Sequence, residues 1–150
     1  MWDKIIKKLE TILKANTKIQ ETFIYEVEKL EGTPACTIVP SDNESLYFTT
    51  ADNERMYIFN VTLYVNRTVA PAGKNVEYNA DKILRDLVDS VLDDFDKNYS
   101  LTGIENPTGY TFINLFALPS KWGYSGREDE YRVAQITIKC RVLVDVTLIS

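Results

Sequence analysis

Residues 131–149 read YRVAQITIKCRVLVDVTLI. Ala134, Ile136, Ile138, Cys140, Val142, Val144, Val146 and Leu148 alternate with Gln135, Thr137, Lys139, Arg141, Asp145 and Thr147. A period of two puts the first set on one face of an extended chain and the second on the other, the pattern of a strand with one buried face. Nineteen residues reach about 63 Å at ~3.3 Å each. A compact chain of 150 residues is only ~40 Å across. The strand is therefore expected either to bend at a bulge or to project, and a projecting strand is a template for pairing with another chain.

Working outward, Tyr110 to Leu118 is apolar on both faces, which predicts a central strand covered on both sides. Tyr57, Phe59, Val61, Leu63 and Val65 alternate with Asn60, Thr62, Tyr64 and Asn66. Phe23, Tyr25 and Val27, then Ala35 to Val39, predict two shorter strands, and SLYFTT at 45–50 predicts an optional further one. Two segments carry the helical period instead. Trp2, Ile5, Ile6, Leu9, Ile12 and Leu13 share one face, as do Ala80, Ile83, Leu84, Leu87, Val88, Val91, Leu92 and Phe95. Asn79 reads as the N-cap of the second helix, with Asp81 complementing its dipole. The order is α-β-β-(β)-β-α-β-β. It predicts one α+β domain over residues 1–150, a largely antiparallel sheet with two amphipathic helices packed on it.

Three connections are long: 40–53, 67–78 with its APAG turn, and 119–129. Loops of this length in a compact domain carry function or are disordered. The last, PSKWGYSGRED, holds Trp122, Tyr124 and Arg127, residue types that dominate interface hot spots. Trp122 either serves an interface or caps the sheet edge.

The chain contains no histidine. This removes His-based triads and dyads and His-ligated zinc or haem. Ser41 and Ser120 thus have no histidine to activate them, and Walker A, GxGxxG, GxSxG and HExxH patterns are absent from the sequence. Cys36 and Cys140 lack metal-ligand spacing and sit in strand patterns, where a free cysteine acts as a small buried hydrophobe. Asp42-Asn43-Glu44, Asp52-Asn53-Glu54 and Glu128-Asp129-Glu130 offer oxygen ligands for Mg²⁺ or Ca²⁺, but Asx-rich triplets are also turn signals. No cofactor and no catalytic site is expected.

A net charge of −5 argues against a broad nucleic-acid surface. That charge is uneven. Lys4, Lys7, Lys8, Lys14 and Lys18 against Asp3 and Glu10 leave +3 in the first twenty residues. Residues 79–97 carry six aspartates, among them Asp86, Asp89 and Asp93, against three cations, leaving −3. Opposite charge on two outward helix faces can steer like subunits together. The N-terminal MWDKIIKKLETIL mixes charged and apolar residues too closely for a signal peptide, and no apolar run approaches a membrane span, so folding in the cytoplasm is expected.

Residues 31–68, EGTPACTIVPSDNESLYFTTADNERMYIFNVTLYVNRT, resemble the tail terminator (tail-completion) proteins of long-tailed bacteriophages. The likeness rests on Gly32 to Ala35, the Pro40 to Glu44 turn, Thr49 to Arg55, and the alternating Met56 to Asn66. The Asp-rich helix 80–96 and the paired terminal strands extend it over most of the chain. The resemblance implies a virion protein of the tail and neck, assembled in the host cytoplasm. It implies a homo-oligomeric ring, usually a hexamer, that caps the finished tail tube, stops tube polymerisation and meets the head connector. DNA would pass through it without specific binding. Interface candidates are then Lys4, Lys7, Lys8, Asp86, Asp89, Asp93, Lys139 and Arg141, with the Lys face of the first helix meeting the Asp face of the second. Trp122, Tyr124 and Arg127 would face tube or connector, and Asp42, Glu44, Asp52 and Glu54 the lumen or rim. Another neck, head-completion or tail-tube component, and a divalent-metal-dependent hydrolase using the acidic turns, are the alternatives.

Overall fold

The computed structural model describes residues 1–47, 52–67 and 76–149, and for 42–47 and 76–78 the backbone alone. The chain is α+β, as expected. Its elements are α1 (Trp2–Lys14), β1 (Glu21–Phe23), β2 (Ala35–Tyr47), β3 (Asp52–Asn66), α2 (Val76–Lys97), β4 (Tyr110–Ser125), a single 3-10 turn (Arg127–Asp129) and β5 (Tyr131–Asp145). One five-stranded sheet has the order β1-β2-β3-β5-β4. Every neighbouring pair is antiparallel except the short parallel β1–β2.

Alternation sorts the strands into two faces. Ile38, Phe59, Val61, Ile136, Ile138 and Leu115 lie on the side that meets the helices and join the main core. Against them α1 sets Ile5, Ile6, Leu9 and Leu13, and α2 sets Ala80, Leu84, Leu87, Val88, Val91 and Phe95. Each large side chain so buried contributes about 1.5–3 kcal/mol. Trp2 packs edge-on against Tyr57 and Phe59, at 4.8 and 5.1 Å between ring centroids, a favoured aromatic geometry. Past the end of α1, Asn16 donates to Ser90 Oγ at 3.0 Å and to Asp94 Oδ2 at 2.7 Å, tying the helices together. On the opposite face a smaller cluster of Leu30, Ala35 and Tyr131 is covered by Phe23 and Val27.

Several sequence readings are corrected. β2 runs through the PSDNES stretch and β3 begins at Asp52, so both acidic triplets read as turns lie in strands. The optional short strand is the continuation of β2 as far as Tyr47; its last residues, and the APAG turn, lie outside the described residues. Tyr25 and Val27 are not in a strand, since β1 ends at Phe23. α2 starts at Val76, so Asn79 sits inside the helix and does not cap it. β4 continues to Ser125, which turns most of the third connection into strand. Nor is β4 central: it is the outer strand of the sheet.

The last strand neither bends at a bulge of its own nor projects alone. It ends at Asp145 and pairs with β3 through fifteen consecutive positions, from Asp52↔Asp145 to Asn66↔Tyr131. The bulges fall in its neighbours, at Pro40/Asn43 in β2 and at Phe112/Asn114 and Pro119/Lys121 in β4. β3 and β5 thus run side by side for about 46 Å, with β2 and β4 alongside them over most of that length.

Cys36 and Cys140 are both free and buried. Burial pushes the Cys36 thiol up to about 11, with the Thr22 hydroxyl pulling weakly the other way, and burial raises the Cys140 thiol as well. The folded chain holds these protons while an unfolded one releases them from about pH 9. The contribution to stability is therefore complete below that pH and drains away as pH climbs toward 11. Native protein at pH ~8 should resist a thiol-specific disulfide reagent, with two thiols reacting after denaturation. Labelling of the native chain would contradict the burial.

Candidate self-assembly surface

β4 gathers more than half of the exposed large hydrophobic side chains among the described residues. Among the described residues nine large hydrophobic side chains are exposed, and five of them, Ile113, Phe116, Leu118, Trp122 and Tyr124, belong to this strand. Phe116 (45% exposed) and Leu118 (49%) share a face with their partners Lys139 and Thr137, on the side away from the helices. Trp122 (47%) and Tyr124 (49%) lie on the helix side, opposite Ala134 and Arg132.

The hairpin end of β4 and β5 is organised by Arg132, which sequence reasoning missed. Its guanidinium carbon lies 4.7 Å from the Tyr124 ring centroid and 6.0 Å from that of Trp122. Its Nε donates to Asp81 Oδ1 and its Nη1 to the Gly123 carbonyl, each at 2.7 Å. Arg67 lies 5.0 Å from the same Tyr124 ring and donates to the Asp129 carbonyl at 2.8 Å, holding the turn to the end of β3. Such cation–ring pairs contribute about 0.5–1 kcal/mol each where solvent reaches them. Gly126 opens that turn at φ 84°, where a Cβ would come 2.9 Å from Tyr131 Cδ2, so glycine is required. A groove of about 250 Å³ beside the cluster is lined by Asp81, Arg85, Trp122 and Arg132.

The outer edge of β4 is treated differently along its length. In its first half the backbone N–H groups of Tyr110, Phe112 and Leu115 go to Pro107 O (2.9 Å), Asn106 Oδ1 (2.9 Å) and Tyr99 O (2.8 Å). The segment leading into β4 therefore caps that stretch. Beyond Leu115, no described backbone group bonds to the outer edge. Pro119 falls within this open part, consistent with the confinement of proline in sheets to edges and bulges. That proline was the one sequence signal that the segment is an edge strand.

The other candidates are dispersed. Lys4 meets Glu105 at 2.7 Å, Lys7 meets Asp3 at 3.1 Å, and Lys8 donates to the Thr102 carbonyl at 3.3 Å, around an open cleft of about 330 Å³. The hydrogen bond shared by Lys4 and Glu105 is the main cause both of the raised lysine pKa and of the lowered carboxylate pKa. Asp86 pairs with Lys82 at 3.3 Å, while Asp89 and Asp93 are exposed on the same helix. Lys139 and Arg141 lie on the sheet face away from the helices, and Arg141 is bound to the half-buried Glu54. Asp52 pairs in register with Asp145. Glu44 pairs in register with Met56, Asp42 lies in the β2 bulge, and their side chains are outside the description. Arg127 is exposed in the turn after β4. Among the described residues no group of three His, Cys, Asp or Glu side chains could hold a metal ion. No described helix is long and apolar enough to cross a membrane.

No family model matches the chain, and no curated protein matches it.

Proposed function

We propose that this chain is a structural subunit that binds copies of itself in a closed ring and, in that form, caps the tail tube of a long-tailed bacteriophage. The observation that carries the self-association is the gathering of five exposed large hydrophobic side chains on a single edge strand. Apolar surface grouped with Trp, Tyr and Arg marks a protein interface. The terminator role comes from the resemblance of residues 31–68 to that family. A sheet edge that meets a different patch on its neighbour gives a head-to-tail contact, and such contacts close into rings when the rotation allows. The ring would sit in the virion between tail tube and head connector, usually as six copies, with DNA passing through it. This work makes and breaks no covalent bond. The lysines Lys4 and Lys7 already have acidic partners in their own subunit, so β4 is the less engaged surface.

Mass photometry of the protein alone, and after mixing with tail-tube subunits, tests the reading. One closed oligomer that halts tube growth is expected. Long tubes from this chain alone would favour a tube component, and an inert monomer that leaves tube growth unchanged would overturn the proposal.

A further inference from the structure

Among the described residues the two edges of the sheet are open over complementary halves. On one side β4 is capped as far as Leu115, and from there to Ser125 no described backbone group bonds to its outer edge. Leu115 turns its N–H outward; by strand alternation so does Ala117, and, past the Pro119/Lys121 bulge, Trp122 and Tyr124. Pro119, in the same phase, has no N–H to offer. On the other side β1 covers β2 only at Ala35, Cys36 and Thr37, and from Ile38 to Tyr47 no described strand lies along that edge.

We infer that the open half of β4 in one copy pairs antiparallel with the open half of β2 in the next, joining the sheets of neighbouring copies into one. This rests on the self-association proposed above and names the surfaces that meet. Three features support it. Directions alternate across β2, β3, β5 and β4, so a further β2 beside β4 continues the antiparallel order without a break. The β2 stretch 40–47 carries Asp42 and Glu44 and no cation, whereas the β4 stretch 117–125 carries Lys121 and no acid. Pairing β4 with its own copy would instead set Lys121 close to Lys121, and like charges opposite each other destabilise a strand pair.

The third feature is the offset. The row of residues through Trp122 crosses β5 at Ala134, and the row through Asn43 crosses it at Cys140, six residues further on. Joining the open halves therefore displaces each copy by ~20 Å along the strands for every ~19 Å across four of them. Strands so staggered incline by about 45° to the axis of the assembly, at the upper end of the ~35–45° range of closed barrels. The inclination depends on the stagger per copy and not on the number of copies. The same two edges are thus compatible with a closed ring.

Disulfide trapping in the full-length protein tests this. Lys121→Cys is combined in one chain with Asn43→Cys, Glu44→Cys or Ser45→Cys, and each protein is oxidised mildly under native conditions. The buried Cys36 and Cys140 serve as silent controls. A ladder of covalent oligomers is expected from at least one double variant, strongest with Glu44→Cys, while the single variants stay monomeric on a non-reducing gel. A covalent dimer from Lys121→Cys alone would show β4 pairing with itself and overturn the inference. Absence of any ladder while sedimentation still shows an oligomer would overturn it too, leaving self-association intact. A wild-type chain that stays monomeric at every concentration would overturn both.

Discussion

Leu87→Asp should abolish folding. Leu87 is 1% exposed on the face of α2 that packs against the sheet, with Leu84, Val88 and Val91 around it. The aspartate would bring a carboxylate into a layer whose described buried residues include no cation. Taking an unpaired charge out of water costs several kcal/mol after relaxation. Losing the leucine adds a further ~2–5 kcal/mol of packing and cavity cost. A domain of this size has only about 5–15 kcal/mol to lose. Circular dichroism and thermal denaturation should find no cooperative transition, while Leu87→Met should stay within ~1.5 kcal/mol of the parent. A cooperative melt from the aspartate variant would mean that α2 does not pack as described.

The second large effect is on association and not on folding. Combining Leu118→Lys with Trp122→Ala removes two exposed side chains, one from each face of β4. Neither side chain is buried in the subunit, so the melting temperature should move by only a few degrees. Hot-spot truncations cost at least ~2 kcal/mol in binding, equivalent to about thirty-fold in dissociation constant. Sedimentation velocity over a concentration series should therefore show the oligomer falling apart at concentrations at least ~30 times higher than the parent requires. Leu148→Lys, at an exposed residue that lies beside Gly109 before the capped start of β4 and not along its open half, is the control and should assemble normally. Equal assembly by the parent and the β4 variant would remove β4 from the interface.

The parts of the fold that were legible in sequence are those where one side chain pattern answers to one surface. The α2 stripe from Ala80 to Phe95 has a single apolar face, and so does the alternation of Ile136, Ile138, Cys140 and Val142 in β5. α2 covers that stripe, with Ile83 left exposed and the helix beginning a turn earlier, and β5 follows its alternation as far as Asp145. Misreadings fall where a local signal competes with cross-strand pairing. PSKWGYS carries Pro, Ser and Gly and reads as a loop, yet it pairs with β5 from Pro119↔Ile136 to Ser125↔Tyr131. Pro119 is tolerated because its missing N–H faces the outer edge, along which no described strand pairs, and Gly123 pairs with Val133 without interrupting the ladder. In PSDNES the Asx residues favour turns, but eleven pairings with β3 carry the strand through, with one bulge to absorb the mismatch. Asn79 has cap chemistry, and the helix nevertheless begins a turn earlier.

The candidate surface was half legible. Trp122 and Tyr124 stand out by type alone, because large aromatics beside Gly and Ser have little local reason to be there. Phe116 and Leu118 were misassigned for a physical reason: an apolar residue in a strand looks the same whether its cover belongs to its own chain or to another. Arg132 was missed because its role comes from three elements at once, with Asp81 on α2, Gly123 on β4 and the rings of Trp122 and Tyr124. No spacing along the chain encodes that meeting.

The unbroken fifteen-position ladder between β3 and β5 has a mechanical consequence. In a ring joined through its sheet edges, outward pressure from the lumen becomes hoop tension carried from copy to copy across the strands. A short hairpin under such a load opens one rung after another. Long strands held in full register present all their rungs to the load together, so the force on each is divided many ways and no single bond is the first to go. The joint between copies, which engages only half an edge, would then be the weakest section of the hoop and the place where an overloaded ring parts.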